Sequence, residues 1–125
     1  MKKLSSVLVM VLLVSSSITL VASDNNANDK IEQNLLVGLN SDNYGLKTSS
    51  AYLLGEFGTS KSLIPLMKVL RNSDTEEERI SAAVALIKMN TAQSIFAVKQ
   101  SGMFDESQRV RRLCTMFYQQ SLDNN

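Results

Sequence analysis

The sequence predicts an all-α chain, a short α-solenoid of about three helical hairpins (six helices) preceded by a cleavable signal peptide. Three observations predict it. A period of 32 residues runs through most of the chain, apolar residues inside each period recur at helical spacing, and no segment sustains the alternation of a strand. A fourth, compositional, bounds the size: 125 residues allow one ordinary domain at most.

The first element is the leader. Lys2 and Lys3 form a positive start, Leu4 to Val21 is apolar apart from Ser and Thr, and Val21-Ala22-Ser23 offers the small residues of a cleavage site. Residues 1–23 are therefore read as a signal peptide. The competing reading is an uncleaved anchor, since 4–22 approaches the length of about 20 residues that spans a bilayer. Five serines and a threonine in that stretch favour cleavage. Export predicts a periplasmic or secreted protein that meets the membrane only in transit. Residues 24–29 follow as a polar linker, 30–121 as the repeat domain and 122–125 as a polar tail.

The repeats come next. Lys47, Arg79 and Arg111 stand 32 residues apart, as do the small residues Ser50, Ala82 and Cys114 and the large ones Leu54, Leu86 and Tyr118. An acid lies five positions before each base: Asp42, Asp74 and Glu106. Ile31, Leu63 and Ile95 share a further register, and Val37 pairs with Val69. Leu63, Leu66, Met67 and Leu70 give the i, i+3, i+4, i+7 stripe of a helix with one buried face. Ile80, Ala83, Val84 and Ile87 do the same for the segment after it. Each unit reads as helix, turn, helix, with helices expected at 31–40, 43–57, 61–71, 75–89, 92–102 and 106–121.

Punctuation sets those limits. Asp74 and Asp105 each precede an acid or amide by three residues, a capping-box spacing that makes them the expected N-caps. Glu76, Glu77 and Glu78 suit the positive end of a helix dipole. Pro65, the only proline, sits where a helix start tolerates it. Gly58, Gly102, Asn72 and Asn90 are expected to stop helices.

This pattern resembles the HEAT-repeat family, and most of all its short bacterial repeats of the phycobilisome-lyase type. The likeness lies in Lys47 through the Leu54-Gly55-Glu56-Phe57-Gly58 ending, in Leu63-Ile64-Pro65-Leu66, and in Arg79-Ile80-Ser81-Ala82-Ala83-Val84-Ala85-Leu86. It covers about residues 30–121. Lys47 stands where the family favours Arg, and Cys114 and Tyr118 stand where it favours Ala and Leu. The resemblance implies an armadillo-like helical scaffold, and the recurring acids and bases imply a structural ladder of Asp42, Asp74 and Glu106 with Lys47, Arg79 and Arg111.

Composition narrows the chemistry. With 13 basic against 12 acidic residues and a net charge of +1, the chain carries no broad footprint for nucleic acid. Removing residues 1–23 takes Lys2 and Lys3 and no acid, leaving 11 bases facing 12 acids. There is no His, which is the commonest general base and metal ligand, and the single Cys excludes a disulfide framework. Cys114 is read as a buried packing residue, matching Ser50 and Ala82. Arg109, Arg111 and Arg112 are read as a solvated face, Glu76–Glu78 as a cap, and most aromatic residues as core, with Tyr44 and Tyr52 as surface anchors.

The expected function is an exported, non-catalytic protein–protein interaction module or scaffold, with no cofactor, no metal and no nucleic acid. Its protein-binding face is expected on the second helices, at Lys47, Tyr52, Glu56, Arg79, Lys88 and Arg112. Two alternatives remain open: a lyase-like enzyme or accessory subunit by fold analogy, and a self-associating structural protein.

Overall fold

The structure is a computed structural model that describes residues 25–124. The expected signal peptide, residues 1–23, lies outside the described residues. The chain divides into two units, Met1–Ile31 and Glu32–Asn125. In the first unit the described residues 25–31 are helical and Ile31 is half exposed. Residues 25–29, expected as a polar linker, are thus helical.

The second unit holds the remaining architecture. Helix α1 covers 25–39, of which 32–39 belong to this unit; α2 covers Tyr44–Phe57, α3 Leu63–Asn72, α4 Glu76–Met89, α5 Ala92–Phe104 and α6 Gln108–Asp123, with a short 3-10 turn at Ser60–Ser62 before α3. There is no strand among the described residues. The helices pack in pairs: α3 with α4 and α5 with α6, while α2 lies against α4, α4 against α6 and α3 against α5.

The caps explain these limits and correct the sequence reading. The N-caps of α2, α4 and α6 are Asn43, Thr75 and Ser107, whose side chains accept from the backbone N–H of Leu46, Glu78 and Val110. Asp74 and Asp105 precede the caps, so α4 and α6 begin one or two residues later than expected. The three caps are themselves 32 apart. Each can supply a side-chain oxygen to a first-turn N–H that has no partner inside the helix. Helix α5 opens on a reciprocal box in which Thr91 and Ser94 satisfy each other's backbone N–H.

The stops are mixed. Asn90 adopts the left-handed conformation (φ 50°) that ends α4, as expected of Asn at such a position. Gly58 caps α2 in extended geometry, and Asn72 is the last residue of α3. Gly102 stops nothing, because α5 runs on to Phe104. Its role is contact: a Cβ there would come within 2.8 Å of the Thr115 hydroxyl on α6. Gly55 serves the α2–α4 seam in the same way, since a Cβ would stand 2.7 Å from the Ala85 Cα.

The core runs along the inner faces of all six helices. Leu39, Leu54, Leu66, Leu70, Leu86, Val98, Val110 and Cys114 are essentially inaccessible. Each buried Leu or Val stabilises the fold by about 1.5–3 kcal/mol relative to an exposed one. The small residues Ser50, Ala82 and Cys114 are all buried, in agreement with a close helix–helix position. The aromatic residues depart from expectation. Phe57, Phe96 and Phe104 are 69%, 57% and 71% exposed, so they are not core. Phe57 and Phe104 are the last residues of their helices, and Phe96 shares its outer register with the exposed Ile64.

Candidate functional site

Two of the recurrent bases, Lys47 and Arg79, sit in the seams between helices. Arg79 is 4% exposed, in the first turn of α4. Its Nη1 donates to the carbonyls of Ser73 (2.8 Å) and Asp74 (3.3 Å), holding its own turn closed. The other edge of the guanidinium grips the following turn: Nε donates to Asp105 Oδ2 at 3.0 Å and Nη2 to Asp105 Oδ1 at 3.2 Å. A planar fork with five donors can serve two carbonyls and a carboxylate together.

The ladder therefore exists at this position with a different rung. Asp105 is the buried acid, whereas the expected Glu106 lies largely in solvent, 3.6 Å from Nη2. The carboxylates of Asp42 and Asp74 form no ion pair among the described residues, and Asp74 contributes its backbone carbonyl instead. Lys47, with a single cationic point and no fork, reaches Glu78 Oε2 at 3.4 Å. Arg111 repeats half of the Arg79 arrangement, donating through Nη1 to the carbonyls of Asp105 (2.5 Å) and Glu106 (3.1 Å).

The six residues expected on one binding face separate into four places. Tyr52, Glu56 and Lys88 come together on the outer surface of α2 and α4. Lys88 pairs with Glu56 and places its Nζ 4.0 Å from the centre of the Tyr52 ring. The Glu56 hydrogen bond, foremost, raises the Lys88 pKa. Arg79 is buried and cannot belong to an outward face, and Lys47 is drawn part-way into the α2–α4 seam by Glu78. Arg112 is exposed on a separate groove along α6 with Gly102, Gln108, Arg109, Arg111 and Thr115.

The acids at the start of α4 are engaged with α6. Glu76 accepts from the Ser107 hydroxyl (2.5 Å) and from Arg109 (3.2 Å), and Glu77 accepts from Arg109 at 2.7 Å. The Ser107 and Arg109 hydrogen bonds lower the Glu76 pKa, and the Arg109 hydrogen bond lowers that of Glu77. Arg109 thus ties α6 to α4 and is not a free cation. Among the described residues no cluster of three or more Cys, Asp or Glu could hold a metal ion.

Two titratable groups are enclosed. Cys114 is fully buried, and desolvation, with a smaller push from the Asp105 charge, raises its thiol pKa to about 12. Such a thiol is protonated near neutral pH and is closed to nucleophilic work. Glu32 was not singled out in the sequence, yet it is 4% exposed and satisfied four ways. It accepts from the Thr59 N–H (2.8 Å), twice from the Thr59 hydroxyl, and from Ser62 Oγ (2.5 Å). Burial acts to raise its pKa, but the hydrogen bonds from Ser62 and Thr59 outweigh it and leave the carboxyl below its ordinary value. One signal was available. Thr59 and Ser62 recur as Thr91 and Ser94, the reciprocal box of α5, and Glu32 takes the Thr59 N–H in place of that reciprocal bond.

Compared with family models, curated proteins and solved structures, the chain matches none.

Proposed function

We propose that this protein is an exported α-solenoid of three HEAT-like hairpins that binds another protein through the outer surface of its second helices. The observation that carries the reading is one row of side chains at equivalent repeat positions. Tyr52, Val84 and Met116 stand 32 apart on α2, α4 and α6, with Tyr52 52% and Met116 44% exposed and Val84 half-buried. Glu56, Lys88 and Gln120 form the parallel row beside it. An apolar stripe flanked by charged and amide groups on successive parallel elements suits recognition by shape and charge.

Other features support the parts of this reading. The side-by-side packing of α2, α4 and α6 and the 32-residue spacing of bases, caps and small residues favour stacked repeats. Lys2-Lys3, the apolar 4–21 stretch and Val21-Ala22-Ser23 favour export. The buried, protonated Cys114 and the pairing of Glu76 and Glu77 with Arg109 favour holding over bond making.

A photo-crosslinking amino acid placed at Tyr52 or Met116, in the cell that makes the protein, tests the surface. A discrete adduct from these two positions, absent from Lys68 on α3, is expected, and the Met116 adduct is expected to be lost in Tyr52→Ser/Lys88→Ser. Equal labelling at Lys68 counts against it. Mass spectrometry of the exported chain is expected to find Asp24 at the N-terminus.

A further inference from the structure

The Arg79–Asp105 grip has a partial counterpart at the start of α6. Arg111 stands 32 residues after Arg79 and uses the same Nη1 on the same two carbonyl positions, those six and five residues before it. Those bonds set the guanidinium in the orientation that lets Arg79 hold a carboxylate on its free edge. Around Arg111 that edge meets no carboxylate among the described residues. Instead a groove of about 720 Å³ opens there, and Arg111, Arg112, Gln108 and Thr115 line it from one face of α6, with Gly102 on α5.

The lining differs in kind from the equivalent internal seams. Ala51 and Ala83 are buried at their positions, while Thr115 at the same register is exposed. Arg112 replaces Ile80. The face is polar, so its ligand is recognised by charge and hydrogen bonds more than by apolar burial.

We propose that this groove is a binding site for a protein carboxylate, an aspartate at the first position of a helix–helix turn on a partner protein, gripped by Arg111 as Arg79 grips Asp105. A second copy of this chain fits the site poorly, for two reasons. Its first turn offers Ser41 at the register of Asp105, and where Ser73 occupies that register Lys47 turns to Glu78. The helix face that would follow the turn also mismatches, because α2 exposes the apolar Leu46, Leu53 and Phe57, while the groove is lined by Gln108, Arg112 and Thr115. The site is separate from the Tyr52–Lys88 surface and does not depend on it.

The probe is the chain's own gripping turn as a blocked peptide, Ser-Gly-Met-Phe-Asp-Glu-Ser-Gln, residues 101–108. It is titrated into the full chain while the arginine Nε–H signals are followed by NMR. A saturable shift at Arg111 is expected, weakened about tenfold or more when the peptide Asp becomes Asn and when Arg111 becomes Gln. Arg111→Lys keeps the charge and loses the fork, and is expected to bind no better than Arg111→Gln. The peptide Asp→Asn comparison leaves the protein intact, so it decides the matter even if an Arg111 variant fails to fold. Equal binding of the Asn peptide, or of a scrambled peptide of the same charge, overturns the proposal. So does no saturable shift, or an equal shift with inorganic phosphate, which would mark a general anion site.

Discussion

Arg79 Nε lies 3.0 Å from Asp105 Oδ2, and this contact joins the start of α4 to the turn that precedes α6. Both side chains are more than nine-tenths buried, at 5% and 7% exposure. The pair is also fully supported: the remaining guanidinium edge closes the Ser73-Asp74 turn, and Asp105 Oδ1 also accepts from the Ser107 N–H at 2.8 Å. One arginine thereby fixes two successive turns in a common register.

Removing one partner of this pair leaves the other charged and enclosed. Arg79→Met and Asp105→Asn are each expected to destabilise the fold by about 3–5 kcal/mol, read from urea unfolding midpoints. The double variant is expected to lose at least about 1 kcal/mol less than the sum of the two, because the second change removes an already stranded charge. Strict additivity would mean that the two groups act apart.

This pair also marks how far the sequence can be read. The 32-residue period located Arg79 and the helix pairs, because spacing alone reports which positions share a face. It misplaced the acid by one residue. Asp105 and Glu106 are both acidic and adjacent, and only the turn geometry points the first inward and the second to solvent. The N-caps slipped for a related reason: Asp74 stands one residue before Thr75 and Asp105 two before Ser107, and each of these types can cap. Asn43, Thr75 and Ser107 share the period, which would have resolved it. Phe57, Phe96 and Phe104 depart from expectation because aromatic character predicts burial on average, whereas Phe57 and Phe104 end their helices and Phe96 takes the outward register of Ile64. In the Tyr52–Glu56–Lys88 cluster, Glu56 and Lys88 were legible as residues of one register with Tyr52 one helical turn before Glu56, whereas the inward turn of Lys47 depends on the length of its side chain and the place of Glu78.

Glu32 makes stability depend on acid. Its folded pKa lies below the unfolded value of about 4.5, so the folded state binds its proton less readily. The stabilisation is therefore complete above that unfolded value and is lost as pH falls through the folded one. Unfolding midpoints in urea should drop between pH 5 and pH 3, on the order of the carboxylate range. In Glu32→Gln the neutral-pH midpoint should be lower and this acid-dependent step smaller. An unchanged acid step would assign it to other carboxylates.

The α2–α4 seam predicts that a helix-favouring change is harmful. Gly55→Ala should gain up to about 1 kcal/mol in helix propensity. The added Cβ, however, would sit 2.7 Å from Ala85 Cα and 3.0 Å from its Cβ, both on the neighbouring helix. Relieving that overlap requires moving backbone, at a cost of about 1–3 kcal/mol. The net expectation is a loss on the order of 1 kcal/mol, with Gly55→Val worse, measured by thermal or urea unfolding. Gly45, whose Cβ would meet only Asn43 Oδ1 at 3.5 Å, serves as the control. Gly45→Ala should be neutral or stabilising.

Cys114 should report unfolding and nothing else. Its thiol pKa is raised from the ordinary 9.0 to about 12, chiefly by desolvation. A folded pKa above the unfolded one means that the buried thiol stabilises the fold fully below pH 9. That contribution fades as pH rises toward 12, because the unfolded chain ionises first. Iodoacetamide should therefore label the folded protein negligibly between about pH 7 and pH 9, and stoichiometrically once urea unfolds it. Cys114→Ala places at this position the residue found at Ala82, and removes only the sulfur. It should cost about 1–2 kcal/mol, the size of a small buried cavity. Fast labelling under native conditions, with the urea midpoint unchanged, would mean that the α5–α6 pair opens locally around this residue, which its complete burial argues against.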